Sequence, residues 1–274
     1  PNDYWAVGTS GVILHFDGSA WSEGNGSRTA TPQTLLGVWG SAANDIWAVG
    51  TGGAVLHYNG TQWTVDSMAS GISTATSWFA ISGTAAVLIV AVGSSGRVMR
   101  YNGTVWALDA MSGSIGLSQA NSVWTSGTTA ITVGSGSAGG YGSSRSDGNA
   151  WQYTAAPGSN SLNGVWGTSP TDLWAAADTG TMMHYDGSAW AVPQNFVPRA
   201  NYSLQKIWGS APNDVWTVGS GGTVRRFNGD SWSFVSSGTT NSLQDVWGFN
   251  STNVFAVGAS GTFQKFDGQT WSAV

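Results

Sequence analysis

Three observations predict an all-β fold, a seven-bladed β-propeller of four-stranded antiparallel blades with an incomplete first blade. One turn signature recurs seven times in the 274 residues, at a near-even period of roughly forty residues, the range of solenoids, propellers and arrays. Each repeat divides into short apolar runs separated by Gly, Asx or Pro turns, and no helical periodicity is present. Composition agrees: 40 Gly, 17 Trp and only 8% charged residues, against about 25% in ordinary usage.

The signature is an aromatic residue, Asp or Asn, Gly, two further residues and Trp. It reads Phe16-Asp17-Gly18 with Trp21, Tyr58-Asn59-Gly60 with Trp63, and Tyr101-Asn102-Gly103 with Trp106. It continues as Asp147-Gly148 with Trp151, where Ser146 replaces the aromatic, and as Tyr185-Asp186-Gly187 with Trp190. Phe227-Asn228-Gly229 with Trp232 and Phe266-Asp267-Gly268 with Trp271 complete the set.

Residues 204–235 show the content of one blade. Leu204–Gly209 reads as strand one, Ser210–Asp214 as a turn, Val215–Gly219 as strand two, and Ser220–Gly222 as a Gly turn. Thr223–Phe227 reads as strand three and Ser231–Val235 as strand four. Asn228-Gly229 between them predicts a two-residue type I′ hairpin, whose central residues both need positive φ. In the equivalent hairpin at Asn59-Gly60, that register sets Tyr58 opposite Thr61, His57 opposite Gln62 and Leu56 opposite Trp63. Side chains alternate between faces, so Leu56, Tyr58 and Trp63 share one face and His57 takes the other.

Four strands per repeat give one propeller domain over 1–274, with blades at 1–34, 35–76, 77–119, 120–161, 162–203, 204–242 and 243–274. Pro1-Asn2-Asp3 matches Pro212-Asn213-Asp214 in mid-repeat, so the first repeat lacks strand one. Six copies of strand one then serve seven copies of the rest, which predicts that the chain is part of a longer polypeptide.

Seven Trp follow the Asx-Gly turns, Trp39, Trp124, Trp166, Trp208 and Trp247 fall on strand one, and Trp5, Trp47, Trp174 and Trp216 fall on strand two. These read as packing residues between twisted sheets. Trp78 fits none of the three positions and is a candidate ligand contact.

At Phe16–Trp21 and Tyr185–Trp190 the chain resembles the Asp-box turn of sialidase-type propellers and the repeats of photosystem assembly-factor propellers. The Asp-to-Trp spacing departs from that box by one residue, so the resemblance is at repeat level. Residues 207–216, Ile-Trp-Gly-Ser-Ala-Pro-Asn-Asp-Val-Trp, resemble repeats of predicted secreted bacterial propellers. These resemblances imply the fold along the whole chain and carry no activity with them.

The chemistry argues against an enzyme. Sialidase-type hydrolysis needs an Arg cluster, a Tyr nucleophile and a supporting Glu, and the one Glu is Glu23 in a polar loop. Arg97, Arg100, Arg225 and Arg226 are placed on strand three, away from the inner strands. A glycoside hydrolase therefore ranks last among the functions. With no Cys, thiolate metal sites and disulfides are excluded, and no cofactor or metal is expected. Gly134–Gly139 matches a dinucleotide pattern, but no helix follows to receive a phosphate. A net charge of −5 speaks against nucleic acid, and no apolar run reaches membrane-span length, Ala85–Val92 being the most apolar.

One position is basic in every blade: His15, His57, Arg100, Arg145, His184, Arg226 and Lys265. Four of these blades also begin strand two with Asp: Asp3, Asp45, Asp172 and Asp214. The same four keep the strand-two Trp. Asp3 with His15, Asp45 with His57, Asp172 with His184 and Asp214 with Arg226 therefore read as a structural network within blades, similar in logic to the tetrad of WD40 propellers. A ring of cationic ligand sites is the competing reading.

Function on a rigid scaffold sits where the repeats differ. The polar connectors at 22–34, 64–76, 107–119, 152–161, 191–203 and 233–242 vary most. Phe196, Arg199 and Tyr202 in the 191–203 connector are candidate contacts to a ligand or partner, being interface-type residues in a loop. Sequons at Asn25, Asn59, Asn102, Asn201 and Asn250 matter only in a eukaryotic secretory pathway. Together these features favour an extracellular or cell-surface recognition module, lectin-like or adhesive, with a glycan or protein ligand. The alternative is a protein-binding scaffold or a structural subunit of a surface assembly.

Overall fold

The computed structural model describes residues 3–26, 30–66, 74–85, 88–158, 161–199 and 202–274. The strands form seven antiparallel sheets, six of four strands and one of three, each in simple sequence order. This is a seven-bladed β-propeller with an incomplete first blade. Pro1 and Asn2, on which part of the first-blade comparison rests, and the sequon at Asn201 lie outside the described residues. The chain divides into two compact units, Pro1–Thr132 with Ser144–Tyr153, and Val133–Ser143 with Thr154–Val274.

In the first unit the three-stranded blade comprises Tyr4–Val7, Ile13–Phe16 and Trp21–Glu23. The second blade has Leu35–Ala42, Asp45–Gly50, Val55–Tyr58 and Trp63–Val65. The third has Trp78–Ala85, Leu88–Gly93, Val98–Tyr101 and Trp106–Leu108. In the second unit the fifth blade has Leu162–Ser169, Asp172–Ala177, Met182–Tyr185 and Trp190–Ala191. The sixth has Leu204–Ala211, Asp214–Gly219, Val224–Phe227 and Trp232–Val235. The seventh has Leu243–Asn250, Asn253–Gly258, Phe263–Phe266 and Trp271–Ala273. Strand one of the fourth blade runs Leu117–Ser126, so it begins before the boundary placed at 119/120 from sequence. Arg97 falls just ahead of strand three, not on it.

The hairpin register differs from the two-residue turn. Tyr58 pairs with Trp63, His57 with Thr64 and Leu56 with Val65, leaving a four-residue loop. Gly60 has φ 91°, but Asn59 is not among the residues with positive φ. The Asx side chain closes the loop instead: Asn59 Oδ1 accepts the N–H groups of Thr61 (3.0 Å) and Gln62 (3.1 Å). The pairing shifts by two residues, so face assignments survive, and Tyr58 and Trp63 rings meet at 5.5 Å.

Asp does the same work as Asn and gains ionisation for it. The Ala20 N–H, the Ser19 hydroxyl and the Ser19 N–H hold the Asp17 carboxyl down to about 2, from an ordinary 3.8. The Ser188 hydroxyl and the Ala189 N–H depress Asp186 likewise, and the Thr270 and Gln269 N–H groups depress Asp267.

Within each unit, successive blades lock through their first strands. Gly83 lies so close to the Trp39 ring of the preceding blade that a Cβ there would come within 2.7 Å. Gly209 receives Trp166 and Gly248 receives Trp208 in the same way, at 2.6 and 2.7 Å. The Trp-Gly pair of strand one is therefore an interlock: a flat ring on one blade and a bare backbone on the next. Trp247, the last of the series, is instead about half exposed.

Candidate functional site

The recurring Asp and basic residues come together. Asp45 Oδ1 accepts the Trp47 indole N–H at 3.0 Å and lies 2.8 Å from His57 Nε2, while the Ser41 hydroxyl donates to Oδ2. In the sixth blade, Asp214 accepts from Trp216 Nε1 (3.1 Å), Arg226 Nε (2.7 Å) and the Ser210 hydroxyl (2.5 Å). Asp3 accepts from Trp5 Nε1 at 3.1 Å and lies 2.6 Å from His15 Nε2. Asp172 lies 2.8 Å from His184 Nε2 and accepts from Thr168. Burial pushes the Asp172 carboxyl up, but Thr168 and His184 outweigh it and hold the group below its ordinary value.

The consequence reaches beyond one blade. Trp5 and Trp47 stack on His15 and His57, Trp174 lies tilted against His184, Arg226 lies over Trp216, and each indole also meets the turn aromatics of the following blade. Trp47 contacts Tyr101 at 4.7 Å and Trp106 edge-on at 5.4 Å. Trp5 meets Tyr58 and Trp63, Trp174 meets Phe227 and Trp232, and Trp216 meets Phe266 and Trp271 in like geometry. Edge-to-face contacts of this kind add roughly 0.5–1.5 kcal/mol beyond burial. In the first, second and sixth blades the carboxylate thus fixes the indole that clasps the next blade.

Where the strand-two Asp is missing, other pairs substitute. Arg100 Nε donates to Asp109 at 2.6 Å, and its guanidinium lies 5.3 Å from the Trp151 ring centre, doing the work of the absent Trp. Burial opposes ionisation of Asp109, but Arg100 and the Met111 N–H keep its carboxyl below the ordinary range. The partner at 109 follows strand four, where the repeat pattern gives no signal. Lys265 sits 5.6 Å from the Phe255 ring, and Arg145 is exposed.

Two candidate contacts are corrected. Trp78 is fully buried and belongs to the core packed around Trp47, Ile89 and Met99. It pairs with Gly93 as Leu35 pairs with Gly50, so it occupies the leucine position that opens strand one. Phe196 is also buried, against Trp174, Met182 and Leu204, with Trp232 packed on the cluster. Neither ring is available to a ligand.

Arg199 and Tyr202 do reach the surface, and the structure builds a site around them in the second unit. The connector doubles back through a Phe196 N–H bond to Pro193 O and a Tyr202 N–H bond to Arg199 O, both 3.0 Å. It presses on bare backbone: a Cβ on Gly180 would meet Arg199 O at 2.4 Å, and one on Gly221 would meet the Tyr202 ring at 2.8 Å. Arg199 then stacks on Tyr202, with its guanidinium carbon 4.2 Å from the ring centre, and approaches Phe234 at 5.4 Å. Behind them Arg225 is held between Phe196 at 4.5 Å and Phe234 at 4.0 Å, with Nη1 donating to Val197 O at 2.9 Å. Burial first, and the Arg199 charge second, press the Arg225 guanidinium below its ordinary value.

The result is a groove of about 620 Å³ floored by Gly221–Val224 and walled by Arg199, Tyr202 and Phe234–Asn241. Phe234 is 55% exposed, so an aromatic face, a cation and several hydroxyls share one concavity. Volumes of this size accept a small ligand or part of a peptide. Arg225 and Phe234 were not singled out from the sequence. Their signal was present in the strand pattern, because Val-Arg-Arg-Phe puts a second Arg at a position that is apolar in most blades, as Leu56, Met99 and Met183.

No protein-family model matches the chain, and no curated protein matches it. Solved structures do. YCF48 bound to a D1 peptide aligns over 97% of this chain and 89% of its own, with a TM-score of 0.74 and 17% identity. YCF48 from Cyanidioschyzon merolae aligns over 97% and 92%, at 0.72 and 18%. The WD40 β-propeller domain of Doa1 aligns over 99% and 87%, at 0.65 and 8%. At such identities a likeness establishes architecture, and it agrees with the sheets described above: this chain is a seven-bladed β-propeller.

Proposed function

We propose that the protein is a non-enzymatic, protein-binding scaffold, active outside the cell or at its surface, that takes a segment of its partner in the Arg199–Tyr202 groove. The groove carries the reading. Here a variable connector departs from the repeat to build an open concavity of cationic and aromatic side chains. Tyr, Phe and Arg in such a setting are the side chains that dominate protein interfaces. Support also comes from a structural neighbour that holds a peptide, YCF48 with its D1 segment. The cell-surface placement draws on the low charge and hydroxyl-rich connectors, and on likeness to the extracellular domain of a putative hybrid two-component system from B. thetaiotaomicron (TM-score 0.73, 12% identity, 39% of that chain).

These features rank the scaffold above the lectin-like reading. The test is site-specific photocrosslinking from position 202, with position 153 as an exposed control, alongside a glycan array. One protein captured from 202 and lost on Arg199→Ala is the expected result. A defined sugar bound on the array, with no protein captured at 202, would overturn the proposal.

A further inference from the structure

We infer that the groove is an anion receptor and that the segment it takes is an acidic peptide, with a carboxylate seated on the edge of Arg199. The inference rests on the protein-binding reading and adds the chemistry of the ligand. It starts from charge. The chain has 14 acidic and 9 basic residues, yet the groove lining contains no Asp or Glu. Outside the groove Arg100 is neutralised by Asp109 and Arg226 by Asp214, while Arg145 is exposed to solvent. Among the described residues, Arg199 and Arg225 have no carboxylate partner. Two adjacent guanidinium groups without a counter-charge leave a positive field in a partly walled site, where charge is screened less than on open surface.

Geometry makes that field usable. A guanidinium stacked on an aromatic ring spends its face, and its in-plane N–H donors stay free for a carboxylate fork. Arg199 is stacked in this way on Tyr202, and its side chain makes no hydrogen bond among the described residues. Arg225 is 3% exposed, and its buried Nε has no partner. Clamped by two rings and by Val197 O, it cannot swing out to water, so it acts as fixed charge behind Arg199. The exposed Phe234 face beside it suits the apolar part of a neighbouring peptide side chain. Two arginines in a chain of net charge −5 are too few for a nucleic acid backbone, which is recognised through many phosphates.

The probes are three fluorescein-labelled pools of short random peptides. One carries a central Glu and an amidated C-terminus, one a central Gln and a free C-terminal carboxylate, and one a central Gln and an amidated C-terminus. Anisotropy at low salt is read with the full chain and with Arg199→Gln, whose exposed position leaves the melting temperature as a folding control. At least one carboxylate pool should bind about tenfold tighter than the doubly amidated pool, equivalent to ~1.4 kcal/mol. That advantage should vanish in Arg199→Gln and shrink as salt rises. The pool that wins distinguishes a side-chain carboxylate from a chain terminus. Equal binding by all three pools overturns the acidic specificity and leaves peptide binding standing. Binding by none overturns both.

Discussion

Replacing the strand-two Asp with Ala should destabilise the four blades unequally, in the order of carboxylate burial. The carboxylates of Asp214, Asp45, Asp172 and Asp3 are 8%, 24%, 36% and 42% exposed. In Asp45→Ala the Trp47 indole N–H, buried in the core, loses its acceptor, which costs about 1–3 kcal/mol. His57 is near the surface and recovers water, so its lost ion pair adds little. The sum is ~2 kcal/mol for Asp45→Ala, rising to ~3 for Asp214→Ala, where carboxylate and indole are both buried. Asp3→Ala and Asp172→Ala should cost ~1 kcal/mol or less, the first because Trp5 is half-buried, the second because no Trp174 bond depends on it. Guanidinium chloride unfolding followed by Trp fluorescence reads the midpoints, with m-values checked for constancy. If Asp214→Ala shifts the midpoint no more than Asp3→Ala does, the reasoning from a buried indole is wrong.

Two further predictions concern packing and pH. Gly209→Ala would press a methyl into the Trp166 ring at 2.6 Å and should cost ~1–3 kcal/mol by overpacking, read as a lower melting temperature. Asp17, Asp109, Asp172, Asp186 and Asp267 titrate below their ordinary 3.8 when folded, so their contribution is present above that value and is lost as pH falls through their lowered folded values, about 2 for Asp17. Replacing Asp17, Asp186 and Asp267 together with Asn should flatten that acid limb in a melting series from pH 6 to 2, because Asn59 closes the same loop without charge.

The fold was legible because the repeat writes it down seven times. Asx-Gly turns, strand-one Trp-Gly and strand-two Asp-x-Trp each mark a fixed place in a blade. The hairpin register was not legible. Asn-Gly suits both a two-residue loop and a four-residue one, and the choice rests on whether the Asx side chain or its own φ makes the turn. Trp78 misled because residue type was weighed above alignment: it stands before Gly93 as Leu35 stands before Gly50. The Arg199 groove was half legible. Tyr202 and Arg199 stood out in their connector, but Arg225 and Phe234 come from strands three and four and join them only through folding. Phe196 stood beside them in the connector, but it packs against Trp232 and is buried.

The most direct measurement asks whether stability and binding separate along the line drawn between repeated and variable residues. Asp45→Ala and Arg199→Ala are compared in one experiment that reads melting temperature and affinity for the tightest peptide pool, at a temperature where both variants are folded. Asp45→Ala should melt lower and bind as the parent does. Arg199→Ala should melt as the parent does, since exposed substitutions usually change stability by less than about 0.5 kcal/mol, and should bind at least several-fold more weakly. Undiminished binding by Arg199→Ala, or affinity lost in Asp45→Ala, would contradict the assignment of scaffold to the repeat and recognition to the connector.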